Sequence, residues 1–416
     1  MAGASTKIRR AVKGSSGRFK IKRESIASQQ ADLLRHVRAR EGLSRVELAR
    51  ILSLAPSTVG IYVDHLVEQG FLFEGKARER DFGRPPTILA LNPQGGRFIG
   101  VDFEARNIMA VAVDFSQRTL QRYHDTIAVG ESVENILRKI ERAIEAVSRE
   151  NGLKILGIGV SVPGVIDPVK GVASSYKHIA GWENVPIAQR LKDKFNVPVF
   201  LENNIRGMAL AELWFGHGRG VKNFVCVGVR SGIGAGIVID GRIYHGSRNR
   251  AGEIGDWPCA TWEPDARGEL VATGITRIEE VASFKSAATM ISARPSQASS
   301  LSLVAPGTDL PLDAFIEAAH ADEPSVLEIL DRAARVFALA FTQLNCAFNP
   351  EKIIIAGVFT AFGDLFLNRV KAHLDVFAAP AIRPVVVNST LGEYNGALGA
   401  AALAVHEWKP ETKPGL

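Results

Sequence analysis

The chain has 416 residues, 46% of them hydrophobic and 23% charged, an ordinary globular composition that excludes wholesale disorder. Three scattered cysteines (Cys226, Cys259, Cys346) cannot build a disulfide framework, and the longest apolar run near the C-terminus, Gly396 to Val405, falls short of the roughly 20 residues of a membrane span. The net charge of +6 is concentrated at one end, because residues 1–90 carry 17 Lys and Arg against 9 Asp and Glu, while the rest carry 33 against 35. This length predicts two or three domains. Met1 to Lys22 is basic and Ser/Gly-rich with no apolar core, so it reads as a flexible arm rather than a secretory signal. The chain is expected to be cytoplasmic, with no membrane partner. A basic end on a neutral body suits attraction to a phosphate backbone, although charge alone fits a merely soluble tail as well.

The segment 23–92 decides between the two. Ile26, Leu33, Leu34 and Val37 recur at helical spacing across Ser25 to Arg40. Ser44-Arg45-Val46-Glu47 has the form of a capping box, in which a hydroxyl and a carboxylate satisfy the orphan amides of a helix start, and that second helix runs to about Leu52. After the turn at Ala55-Pro56-Ser57, a third helix covers Ser57 to Gln69, with Val59, Val63, Leu66 and Val67 inward and Gly70 as its stop. Strands at Phe71 to Phe73 and Thr87 to Leu91 flank a charged turn holding Gly83-Arg84-Pro85-Pro86. Three short helices and a hairpin predict a winged helix-turn-helix that reads double-stranded DNA, with the third helix in the major groove. The contact candidates are Arg45, then Ser57, Thr58, Ile61, Tyr62 and His65 on the outer face of the third helix, and Arg84 at the wing tip, where a narrow minor groove attracts arginine. Tyr62 alone fits a half-buried core position equally well.

From residue 97 to 407 the texture becomes α/β. Strands are predicted at Phe98 to Phe103 and Ile108 to Asp114, a third ends near Ile127, and a helix covers Glu131 to Arg149. A second meander spans Phe224 to Ile243, long helices follow Ser325, and Lys352 to Ala356 is a buried strand. Residues 292–310, rich in Ser, Ala and Pro, read as a loop. Gly232-Ile233-Gly234-Ala235-Gly236 precedes a strand-like run instead of a helix, so the glycines join strand to strand and a dinucleotide site is not expected.

Four motifs then occur in order: Gly157-Ile158-Gly159-Val160-Ser161-Val162-Pro163-Gly164, Glu202-Asn203-Asn204, Gly228 to Gly236, and Ala251-Gly252-Glu253-Ile254-Gly255. Together with the winged helix they resemble the ROK family of repressors, open reading frames and sugar kinases, over roughly residues 24–406. The resemblance implies an α/β, actin-like body of two lobes with a sugar cleft between them, serving effector binding and dimerisation. It also implies a base for kinases of the family, an Asp closing the Glu-Asn-Asp triplet; here Asn204 stands there, and an amide cannot accept that proton. The family's Asp-x-Gly-Gly-Thr phosphate turn reads Asp102-Phe103-Glu104-Ala105-Arg106, and the glycine-rich adenosine segment reads Ala356-Gly357-Val358-Phe359. The family's zinc site is depleted as well, with Asp256 in its His position and Cys259 as the one nearby thiol.

The expectation is therefore a non-enzymatic regulator, most often a repressor, of sugar metabolism or transport genes. It would have no cofactor or metal and would work as a homodimer or dimer of dimers. A sugar effector would be held by Asn203, Asn204, Glu253 and Asp256, unless the two acids merely cap a turn. Trp182 suits the pocket or the core equally. The alternative is an ATP-dependent sugar kinase with an accessory DNA-binding domain.

Overall fold

The computed structural model describes residues 25–76, 87–149, 152–283 and 312–412, with Ser286, Ala287 and Met290. The basic arm 1–22, the wing tip with Arg84 and the segment 292–310 lie outside the described residues.

The N-terminal module forms as its local signals dictate. Helices α1 (Ile26–Ala39), α2 (Arg45–Leu52) and α3 (Pro56–Glu68) precede strands β1 (Leu72–Lys76) and β2 (Thr87–Leu91), which pair antiparallel with Leu72 opposite Leu91. At the start of α2 the Glu47 amide donates to Ser44 Oγ at 3.3 Å, and the Ser44 amide donates to Glu47 Oε2 at 2.9 Å, completing the capping box. Ser44→Ala is expected to cost about 1 kcal/mol. Amide exchange across Arg45–Leu52 should then speed roughly fivefold, and unchanged exchange would show that the cap carries no local stability. Leu33, Leu34, Val37, Leu48, Val59, Val63 and Leu66 close the core. Val67, expected inside, is instead exposed, because the inward stripe ends one residue earlier.

The body holds two five-stranded mixed sheets. In the first, β3 (Arg97–Phe103), β4 (Asn107–Asp114), β5 (Thr119–Thr126), β6 (Ile155–Val162) and β10 (Val199–Asn203) lie in the order β10-β6-β3-β4-β5. In the second, β11 (Phe224–Val229), β12 (Ile233–Ile239), β13 (Arg242–Ile243), β16 (Lys352–Gly357) and β17 (Val386–Asn388) lie in the order β13-β12-β11-β16-β17. Besides these, β7 (Val165–Asp167), β8 (Val172–Ser175) and β9 (Glu183–Val185) form a small sheet, helix α5 (Ile187–Phe195) precedes β10, and β14 (Pro258–Pro264) pairs with β15 (Leu270–Arg277). Gly234 and Gly236, read from sequence as a joining segment, lie within β12 itself. Strand alternation explains the layers. Val225, Val227 and Val229 join the core with the outer helix Pro324–Phe348, whereas Phe224 and Cys226 pack with Met208 and Ala209 of α6 (Asn204–Phe215). In the first sheet, Ile99, Val101 and Phe103 share a core with Ile136 and Ile140 of helix α4 (Val133–Ser148).

The opposite face of the first sheet receives the C-terminal helix Asn395–Glu407, which also packs along α6, so two helices lie between the sheets. Its Gly/Ala composition permits unusually close approach. A Cβ on Gly159 would lie 1.8 Å from the Ala400 carbonyl oxygen, and one on Gly399 1.7 Å from the Gly207 carbonyl oxygen, distances that no side chain tolerates.

The same helix ends against the winged helix. Phe71, Phe98 and Phe115 surround Trp408, with ring centroids 5.0, 5.7 and 5.8 Å from it. Lys409 Nζ reaches Ser28 Oγ at 3.0 Å, and Gln69 Nε2 donates to the Glu411 carbonyl at 2.9 Å. Arg38 is half-buried at this junction over the Phe115 ring; desolvation, and then its neighbour Arg35, bring its guanidinium down to about 9. Module and body are therefore in packed contact.

Candidate functional site

On α3, Ser57 and Ile61 are exposed, with Ile61 at 51%, and Thr58 is half-buried. Tyr62 and His65 do not share that face. Both are buried, with His65 at 3%, because they pin α3 to α1: Tyr62 Oη donates to Gln29 Oε1 at 2.6 Å, and Gln30 Nε2 lies 3.0 Å from His65 Nδ1. Their placement on the outer face is thereby corrected, since a side chain turned into the module cannot touch a base. Arg45 ties three elements together, through Asp64 on α3 at 2.7 Å, Glu74 on β1 at 2.8 Å and the Gly60 carbonyl at 3.3 Å. Its charge is met by two carboxylates within the protein, and a phosphate would compete with both for it.

The second region is a cleft of about 330 Å3 between the lobes, lined by the Pro163-Gly164 turn, Tyr176, the start of α6, the β11–β12 turn and the Arg250–Asp256 segment. Each of the four effector candidates lines it. Asn203 is largely committed elsewhere, as its Oδ1 accepts from the Ile205 and Arg206 amides at the start of α6, and its Nδ2 donates to the Gly164 carbonyl at 3.2 Å. Asn204 is 6% exposed, and its amide makes no side-chain hydrogen bond among the described residues. Glu253 follows a glycine that cannot be replaced: Gly252 has φ +92°, and a Cβ there would sit 1.8 Å from the Ala235 carbonyl oxygen. Burial pushes the Glu253 carboxyl above the ordinary range; Arg206 opposes the shift and Asp256 adds to it. Asp256 stands exposed at the rim, 3.1 Å from Arg277.

The sequence offered no sign of the charged frame beneath. Glu202, buried, bonds Arg206 Nε at 2.7 Å and His245 Nε2 at 2.7 Å; burial alone would raise its carboxyl, but His245 and Arg206 hold it below the usual range. Asp102, buried, pairs with Arg230 at 2.5 Å, and burial, only partly offset by that guanidinium, pushes its carboxyl up to about 6. Asp102 was legible as the Asp of a phosphate turn and Glu104 as a departure from it, yet Arg230 stands 128 positions away, and no local spacing joins them. Trp182 belongs to the core, 5.1 Å from Phe103 and away from the cleft lining.

A winged helix packed on a two-lobed body of sugar-kinase type, with an amide where a kinase would hold its base, defines a class: the regulator-type architecture of that fold. The ROK family profile matches residues 98–407, and the chain belongs to the ROK family. It is similar to the xylose repressor of Caldicellulosiruptor bescii, 27% identical over 385 residues that cover 88% of this chain and 92% of the relative. It is also similar to the glucokinase of Halalkalibacterium halodurans, 31% identical over 260 residues covering 60% of this chain and 76% of the enzyme. In fold it is similar to a ROK family transcriptional regulator, a homologue of the Escherichia coli MLC protein, at a TM-score of 0.74 and 22% identity, covering 91% of this chain and 96% of that one.

Proposed function

We propose that the chain is a sugar-responsive transcriptional repressor that binds operator DNA through its winged helix and a sugar or sugar derivative in the inter-lobe cleft. The observation that carries this reading is the presence, in one chain, of a winged helix packed on the body and an amide, Asn204, at the cleft floor. An amide reads a sugar hydroxyl as donor or acceptor but cannot take its proton, so binding is retained without phosphoryl transfer. The repressor relative is matched nearly end to end, whereas the glucokinase match covers 60% of the chain. Kinases are nonetheless relatives, and the absence of enzymatic activity belongs to this proposal.

Glu253 and Asn204 supply the free carboxylate and amide for hydroxyl recognition, Asn203 holds the turn between them and the Gly164 loop, and Asp256 edges the rim. Ser57, Thr58 and Ile61 face the major groove, Arg45 exchanges its carboxylate partners for a backbone phosphate, Arg84 enters the minor groove between the phosphates, and two copies of the chain read a pseudo-palindromic site, with half-sites roughly 34 Å apart or a multiple of that. The test is fluorescence anisotropy of the protein on its own upstream DNA at two salt concentrations, with a panel of monosaccharides and their phosphates. Salt-sensitive, selective binding altered by one sugar is expected. Absence of selective binding, or ATP-dependent sugar phosphorylation by the unmodified protein, overturns the proposal.

Two variants divide the DNA face. Ile61→Asp places a carboxylate against the groove and should weaken operator binding about tenfold or more. Arg84→Ala should weaken all sequences alike and reduce the salt slope by about 1. An unaltered slope removes Arg84 from the phosphate or groove contacts.

A further inference from the structure

We propose that Arg230 is a clasp that holds the two lobes at a fixed angle and connects that angle to cleft occupancy, an inference that rests on the reading of the cleft as an effector site. Arg230 lies in the turn between β11 and β12 of the second lobe. Its guanidinium crosses to the first lobe, 2.5 Å from Asp102 Oδ2 at the end of β3 and 3.8 Å from Glu104 Oε1 just beyond it. The same turn makes two more crossings: the Ser231 amide donates to Glu104 Oε2 at 3.3 Å, and Ser231 Oγ lies 2.9 Å from Tyr176 Oη.

Burial distinguishes this clasp from an ordinary surface ion pair. The Arg230 side chain is 10% exposed and that of Asp102 1%, so the attraction is little screened, and loss of one partner leaves an uncompensated charge in a dry site. The Lys177–Glu279 pair across the cleft has its lysine mostly in solvent and contributes far less. Asp102 also abuts the first residues of the C-terminal helix, where a Cβ on Gly396 would lie 2.4 Å from its carboxylate carbon. The clasp therefore meets the helix whose far end packs against the winged helix.

Its position ties it to the cleft. Arg230, Ser231 and Gly232 line the cleft together with Asn204 and Glu253, so a ligand seated there presses on the turn that carries the clasp. The segment Asp102 to Arg106 stands where the family resemblance places a phosphate turn. A cation of the protein itself now occupies the ground between Asp102 and Glu104, and without it two carboxylates face each other. Arg230 thus holds this arrangement of the lobes, and a ligand that displaces the turn releases it.

The experiment reads the inter-lobe distance directly in the full-length protein. In a Cys259→Ser, Cys346→Ser background, spin labels at Val169→Cys in the first lobe and Val376→Cys in the second, both on highly exposed residues, are measured by double electron–electron resonance without sugar or DNA. Dilution with unlabelled protein suppresses distances between copies. Arg230→Gln should broaden the distribution and add a population at longer distance, and Arg230→Lys should largely restore the wild-type trace. Asp102→Asn combined with Arg230→Gln leaves no unpaired charge on the closest pair and decides the matter where the single variant precipitates. A trace identical to wild type in Arg230→Gln, or in the double variant if the single one cannot be purified, overturns the clasp. Because no sugar is present, that result leaves the effector reading untouched. That reading fails separately if Glu253→Ala responds to sugar as wild type does.

Discussion

Alanine in place of Glu253 is expected to weaken effector binding by roughly 10- to 150-fold, while operator affinity without effector stays at the wild-type value. The carboxylate lines the cleft, open to whatever enters it, and has no side-chain hydrogen bond among the described residues. Its acceptor capacity is therefore available to a hydroxyl pair, and a charged hydrogen bond of that kind contributes about 1.5–3 kcal/mol. The operator face is on another module, so removing the carboxylate touches only the ligand term of the coupling. Titration of the protein–operator complex with the sugar identified in the panel measures the effect. The same carboxyl sits above the ordinary range, so its charged form is lost earlier as pH falls. Effector affinity should accordingly decline on acidification at a pH above that of an ordinary glutamate, and Glu253→Gln should flatten the profile. A flat wild-type profile and an undiminished alanine variant would together remove Glu253 from the site.

Valine at Gly159 should destabilise the body by about 3 kcal/mol or more, the upper end of what overpacking costs, because the obstacle is backbone. The added Cβ would meet the Ala400 carbonyl oxygen at 1.8 Å and its carbon at 2.6 Å, and neither can rotate away. Relief requires the C-terminal helix to lift from the first sheet, which would also disturb its packing on α6. Gly130→Ala is the contrast: it has φ +76° and nothing within 4 Å of the added carbon, so only the left-handed backbone term of about 1 kcal/mol applies. Urea midpoints of the two variants against wild type make the comparison. If Gly159→Val proves no less stable than Gly130→Ala, the close helix–sheet approach is not a source of stability.

The N-terminal module was legible because its signals are local. A capping box, a proline at a helix start and a stripe of aliphatics each act within a few residues, and the structure forms α1 to α3 within about one residue of the predicted limits. The four motifs of the body were legible only as a resemblance, and the structure places them at strand ends and tight turns, with Gly164 just past β6, Asn203 capping α6 and Gly252 before Glu253. Less legible was the direction of single side chains. Tyr62 and His65 stand among small and polar residues on α3, and only the arrival of Gln29 and Gln30 from α1 turns them inward. Trp182 suited pocket and core equally until Phe103 from β3 was placed against it.

By itself, the order of residues determined a winged helix followed by an α/β body, because those features depend on local periodicity, while the two lobes and the amide in place of a kinase base were what the ROK resemblance implied. Tertiary structure alone decided which charges meet. Arg230 went unnamed within the Gly228 to Gly236 motif, Asp102 matched the Asp of a phosphate turn, and Glu104 was a carboxylate in place of one of its glycines. Folding brings them within bonding distance by stacking two sheets about two small-residue helices. The physical reason is that a buried charge requires a partner in space rather than in sequence, and only the packed chain defines what lies opposite.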